Sequence, residues 1–378
     1  MTLHDLGWNK KFQKAFDSLS LKRCVPARLI RDNKISYGAL TEGGEEYEVV
    51  MSGKVYHEAA SDAELPAVGD WVALELSKAA KEGKVEKTDE CENMIRARLP
   101  RQTCFSRKTP GKSTEEQVIA ANVSVVVIVT DAGPDFNPRR MERYFMLVRR
   151  SGAKAVVLMN KSDLFPREQN EEAAAMIREL SDEADVHITS AKENDGLEVL
   201  QQYLTPGVSV TLVGSSGVGK STLVNQLLGE EFQWTSDVNE LTGKGRHTTT
   251  ARELIPLQGG GILIDNPGIR EVQMWTDEQT LRESFLDVEA LASHCKFHDC
   301  KHGNDAGCAI RTAVESGDLD PGRYESYLKL DEEIEKLEQR QKKRRMISER
   351  RAKRDHRVKA RNLADRIELE KEDRPDWR

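Results

Sequence analysis

Residues 214–221 read Gly-Ser-Ser-Gly-Val-Gly-Lys-Ser, the spacing G-x-x-x-x-G-K-S. Such a loop can hold an anion: glycines let the backbone wrap closely, and a helix starting within it points free N–H groups inward. Lys220 is expected to reach the outer phosphates of a nucleotide, and the Ser221 hydroxyl to ligate magnesium. Gly214, Ser215, Ser216, Gly217, Val218, Gly219 and Thr222 complete the expected contact set. The flanks suit the motif. Val208 to Val213 is an apolar, β-branched run fit for a buried strand, and 221–228 continues at helical spacing until Gly229.

A second set could read a base. Asn160-Lys161-Ser162-Asp163 follows the apolar run Ala155 to Met159, so it stands at a strand's C-terminal end, where open α/β sheets bind ligands. The Asp163 carboxylate can accept two hydrogen bonds, from the ring N–H and the exocyclic amine of guanine; adenine lacks that pair. Asn160, Lys161 and Ser162 would hold the loop and cover the base. Taken alone these letters also suit a polar turn. Ser190-Ala191-Lys192, after another short strand, matches the element that backs up guanine and argues against the turn. The pair also argues against a metabolic P-loop kinase or a transporter ATPase.

Asp265-Asn266-Pro267-Gly268 ends the run Gly261 to Ile264. Asp265 is expected to reach magnesium through a water, and the N–H of Gly268 to meet the γ-phosphate. Gly243 to Thr250 is rich in glycine and cations and lacks an apolar period; Thr249 or Thr250 should ligate magnesium there. Ile269 occupies the place where many GTPases carry a water-orienting glutamine. Intrinsic hydrolysis should therefore be slow, and His247 is the candidate catalytic group. The order is also rotated. Ordinary GTPases begin with the phosphate loop and end with the base elements; here the base elements come first, so the γ-phosphate-sensing segment leads directly into a C-terminal neighbour.

A third cluster, Cys295, Cys300, His302 and Cys308, spells C-x4-C-x-H-x5-C. Three thiolates and an imidazole close a tetrahedron around zinc and leave no place for a catalytic water. Clustered Cys and His favour a metal over a disulfide in a reducing compartment. His294 and His298 stand close enough in sequence to compete as ligands.

Length and composition set the frame. At 378 residues, two or three domains are expected. No apolar stretch approaches a membrane span and the first residues lack a signal-peptide core, so a cytoplasmic protein without membrane contact is expected. The net charge of −7 is uneven: Glu338 to Arg361 holds 12 Lys/Arg against 3 acids. A basic segment on an acidic chain suggests a local nucleic-acid contact, although a solvated helix with i,i+4 ion pairs has the same composition.

The elements that must position these groups divide the chain. An N-terminal amphipathic helix is expected over 1–22, with Leu6, Phe12, Phe16 and Leu19 on one face. Short β-like runs separated by Gly, Asp and Pro turns occupy 23–112; a small antiparallel barrel fits, and composition does not separate an OB-fold from an SH3-like barrel. An α/β domain with a mostly parallel sheet runs over 113–275, a helical metal-binding domain over 276–330, and a charged helical tail over 331–378.

The rotated motif order, the Gly-Arg-His-Thr-Thr-Thr segment at 245–250, Asp265 to Gly268 and the Cys/His cluster together resemble the ribosome small-subunit-dependent GTPase A family, circularly permuted bacterial GTPases. Val68-Gly69-Asp70-Trp71-Val72 and Glu116 to Val123 are similar to family stretches too. The resemblance covers roughly 23–330. It implies an N-terminal OB-fold, a permuted GTPase domain and a C-terminal zinc domain. It further implies GTP hydrolysis to GDP and phosphate, stimulated by the small ribosomal subunit and its rRNA late in maturation, by a protein expected to be a monomer. The family's proposed catalytic histidine falls on His247, and its zinc ligands on Cys295, Cys300, His302 and Cys308. A GTP-gated rRNA-binding factor with incidental hydrolysis is the alternative.

Overall fold

The computed structural model describes residues 1–33, 35–77, 93–109, 115–134, 136–228, 252–265, 276–303, 305–343 and 346–347. Five short strands come first: β1 (Cys24–Asp32), β2 (Tyr37–Leu40), β3 (Glu46–Met51), β4 (Trp71–Glu75) and β5 (Asn93–Arg98). β1, β2 and β3 pair antiparallel in succession, β3 pairs parallel with β5, β5 antiparallel with β4, and β4 returns to β1. This closed ring, with a helix Gly53–Glu58 between β3 and β4, is an OB-fold barrel. Its strand order settles the choice that composition left open. Ala27, Leu29, Ala39, Val49, Val72, Leu74 and Ile95 fill the inside.

Strand alternation turns Arg28 out of the barrel, yet it is buried. Its guanidinium donates to Gly69 O (3.3 Å), Asn122 O (3.1 Å), Ser209 Oγ (2.8 Å) and Leu6 O, and lies over the Trp71 ring. Burial pushes it down to about 9, so it remains a cation at neutral pH. The N-terminal segment is anchored there too, but its helix is shorter than expected. Only Lys10–Ser18 is helical, capped by the Asn9 side chain, and Leu6 reaches the core from the turn before it.

β6 (Cys104–Lys108) and β7 (Glu116–Ala121), placed by sequence partly inside the barrel, form a separate antiparallel hairpin. The chain then enters the α/β layer. β8 (Val125–Thr130), β9 (Lys154–Met159), β10 (Asp185–Ile188), β11 (Ser209–Gly214) and β13 (Ile262–Asp265) run parallel in the order β10-β9-β8-β11-β13. The largely apolar runs of β8, β9, β11 and β13 reflect strands covered on both faces, whereas the edge strand β10 reads Asp-Val-His-Ile and is half-buried. β12 (Glu253–Pro256) adds antiparallel at the β13 edge and meets β1 at Arg31↔Glu253, joining barrel and layer in one sheet. Helix Pro138–Ser151 follows β8, capped by the Asn137 side chain and closed by Gly152 in the left-handed region.

From Leu291 the chain forms a second compact unit. It holds helix Ala309–Ser316 and a helix that spans residues 321–343. That helix runs through Leu330 without a break and buries Ile334 and Leu337, so its first turns past 330 are structural rather than a free tail. No described helix is long and apolar enough to cross a membrane.

Candidate functional site

Every nucleotide-binding motif read from the sequence that lies among the described residues stands at the C-terminal end of a parallel strand. Asn160 to Asp163 follows β9, Ser190 to Lys192 follows β10, Gly214 closes β11, and Asp265 closes β13. Strands distant in sequence thereby open one crevice, the site expected of an open α/β sheet.

Asn160 ties three of these loops together. It is buried, its Nδ2 donates to Val218 O at 2.7 Å, and its Oδ1 accepts from Ala191 N at 2.9 Å. Asp163 is braced by the Ser190 hydroxyl, which donates to Oδ1 at 2.6 Å, while Lys192 Nζ stands 3.9 Å from Oδ2. The carboxylate is thus held at the mouth of the pocket. Lys161 occupies the left-handed region (φ 62°) and pairs with Asp131 Oδ2 at 2.9 Å. Asp131 follows β8 and also accepts from Gly133 N, so it pins the β8 loop to the base motif.

The phosphate loop needs its glycines at two tight approaches. A β-carbon on Gly214 would fall 2.2 Å from Val129 O, and one on Gly219 would fall 2.2 Å from Asn160 Nδ2. Lys220 Nζ turns back to Gly214 O (2.9 Å) and Ser215 O (2.6 Å), at the head of helix Lys220–Leu228. Burial lowers the Lys220 pKa, the expected state of a cation in a half-buried cradle that a phosphate would offset. Ser221 and Thr222 open the first turn of the same helix. His247, Thr249, Thr250 and Gly268 lie outside the described residues.

The second unit brings Cys295, Cys300, His302 and Cys308 together, with all donor atoms within 4.8 Å of one another. His302 Nδ1 is 3.6 Å from Cys295 Sγ and 3.8 Å from Cys308 Sγ. A tetrahedron with zinc–sulfur bonds of ~2.3 Å and zinc–nitrogen bonds of ~2.0–2.1 Å has S···N edges of about 3.6 Å, so the set fits a structural zinc. Ala309 N donates to Cys295 Sγ, and His302 reaches the cluster from the left-handed region (φ 59°) with its carbonyl held by the Tyr324 hydroxyl. His294 and His298, the competitors in sequence, are not part of the cluster.

Sequence reasoning missed Asp131 and Arg28. Asp131 is one polar letter in a loop, and Arg28 differs in nothing local from an exposed strand arginine. Both are recognisable only through what the fold brings against them.

Comparison with known proteins agrees with this geometry. Residues 98–275 match the family model described as RsgA GTPase, and 209–349 match one described as 50S ribosome-binding GTPase. The second begins at β11 and so misses the base elements that precede the phosphate loop here. A small ribosomal subunit biogenesis GTPase RsgA of Opitutus terrae is 45% identical over 337 residues, covering 88% of this chain and 90% of that protein. Its counterpart in Syntrophotalea carbinolica is 42% identical over 342 residues, with coverage of 88% and 90%. Among solved structures, YjeQ from Thermotoga maritima aligns with a TM-score of 0.58 at 24% identity, covering 82% of this chain and 98% of that one. YloQ, described as a circularly permuted GTPase, aligns at 0.55 and 23%, with coverage of 83% and 96%. These two likenesses speak for the fold.

Proposed function

This chain belongs to the RsgA family of small ribosomal subunit biogenesis GTPases, and from that membership we propose that it binds the small subunit and hydrolyses GTP there late in maturation, stimulated by the subunit. The observation that carries the reading is the Asn160 bridge: one side chain joins the guanine motif, its backing loop and the phosphate loop into a single pocket. Asp163 reads the guanine edge, with Asn160, Lys161, Ser162, Ser190, Ala191 and Lys192 shaping the base pocket. Residues Gly214 to Thr222 and Gly268 hold the phosphates. Ser221, with Thr249 or Thr250, would ligate magnesium, and Asp265 would reach it through water. That ion would neutralise charge on the phosphates during transfer. His247 would supply the polar group that Ile269 lacks.

The zinc cluster would stiffen the C-terminal unit, since zinc binding to such a set is itself folding free energy. The barrel and the basic residues up to Arg361 would meet rRNA phosphates, and the protein would act in the cytoplasm as a monomer. Support for the basic contact is charge alone: Lys and Arg neutralising phosphates release counterions and make binding salt-dependent. Co-sedimentation with purified small subunits tests the proposal. A non-hydrolysable GTP analogue should hold the chain on the subunit and GDP should release it. Equal binding with both, or none with either, would overturn the reading.

A further inference from the structure

The phosphate loop has a neighbour that its motif does not contain. Arg140, in the first turn of helix Pro138–Ser151, donates from Nη1 to Ser215 Oγ at 2.6 Å. The guanidinium is exposed, and among the described residues it has no carboxylate partner. Its neighbour Arg139 differs, being paired with Glu142 at 2.7 Å.

Its position works against the helix. The N-terminus of a helix carries partial positive charge, so a cation there is unfavourable and an anion favourable. The first turn of Pro138–Ser151 nevertheless holds Arg139 and Arg140 and no acid. Glu142 offsets Arg139; among the described residues no carboxylate offsets Arg140. An unpaired cation at a positive helix end, touching a loop built for phosphates, is the arrangement that an anion on that loop would complete.

Which phosphate it meets follows from the layout. The base elements follow β9 and β10, whereas Asp265 closes β13 on the other side of β11. Arg140 and Lys220, the cation expected to reach the outer phosphates, converge on one residue: Arg140 donates to Ser215 Oγ and Lys220 Nζ to Ser215 O at 2.6 Å. Arg140 therefore belongs to the terminal-phosphate side.

We propose that Arg140 is a substrate-binding residue that leaves Ser215 and contacts the terminal phosphate of GTP, so that it favours GTP over GDP. Arginine suits this because its planar fork can give two parallel N–H donors to one phosphate, which lysine cannot. The inference rests on GTP occupying the phosphate loop, as in the function proposed above. It does not depend on the ribosome.

The test is titration of the free, full-length protein with a fluorescent non-hydrolysable GTP analogue and with fluorescent GDP, both with magnesium. Charge-assisted hydrogen bonds of this kind are worth enough that Arg140→Gln should weaken the GTP analogue about tenfold or more and leave GDP affinity unchanged. Arg140→Lys should recover part of the loss and serves as a second variant should the first fold poorly. Unchanged affinity for the analogue, or an equal loss for analogue and GDP, would overturn the proposal. Because no subunit is present, a failure of subunit stimulation cannot be mistaken for either result.

Discussion

The amide nitrogen of Asn160 lies 2.2 Å from where a β-carbon on Gly219 would stand. The base motif and the phosphate loop, 59 residues apart in the chain, therefore meet at van der Waals limit through one side chain and one missing side chain. The rotated motif order does not matter to this contact. What matters is that β9 and β11 flank β8 and end at the same edge of the sheet.

Gly219→Ala should weaken GTP binding. The new methyl would displace Asn160 from Val218 and Ala191, and it would stand on a backbone at φ +97°. Two lost hydrogen bonds at about 1 kcal/mol each, plus backbone strain, predict a loss of roughly tenfold to a hundredfold. Equilibrium binding of labelled GTP checks this, and wild-type affinity would mean the loop rearranges without Asn160.

Asp163→Asn should move base preference from guanine toward xanthine. The amide presents a donor where guanine also has one, whereas xanthine carries an acceptor there. The Ser190 hydroxyl can still donate to residue 163, so the loop should keep its shape. Competition between GTP and xanthosine triphosphate decides it; unchanged GTP affinity would remove Asp163 from base reading.

The sequence made the chemistry of both sites readable because phosphate, guanine and zinc each demand particular side chains at short spacing. It set the end of the barrel at residue 112, between β6 and β7, which the structure pairs as a separate hairpin. It could not show how the barrel closes, since the parallel β3–β5 pair and the β4–β1 return depend on contacts distant in sequence. For the same reason Arg28 looked ordinary, although it holds four separate segments, Leu6, Gly69, Asn122 and Ser209, at the root of β11. The N-terminal helix was over-extended because Leu6 fits the apolar face; Asn9, a strong N-cap, is what starts the helix.

Cys300→Ser should release one zinc and lower the melting temperature of the C-terminal unit, leaving GTP affinity intact. Elemental analysis and thermal melts of wild type and variant read this directly. Wild-type protein purified without stoichiometric metal would remove the zinc assignment, however well the donors fit.

His247→Ala should preserve GTP binding and depress turnover on the subunit. A positioned proton-transfer or polar group contributes about 10²–10⁴-fold. Single-turnover hydrolysis with subunits present is the measurement, and an undiminished rate would assign the role to a group on the ribosome.

GTP hydrolysis in response to the small subunit is the activity proposed for this pocket. The measurement is GTP hydrolysis by the full-length protein alone, with purified small subunits, and with large subunits as control. Turnover should be slow for the protein alone, because Ile269 cannot orient water, and should rise markedly with small subunits and not comparably with large ones. Turnover that small subunits leave unchanged, or that large subunits raise equally, would contradict it.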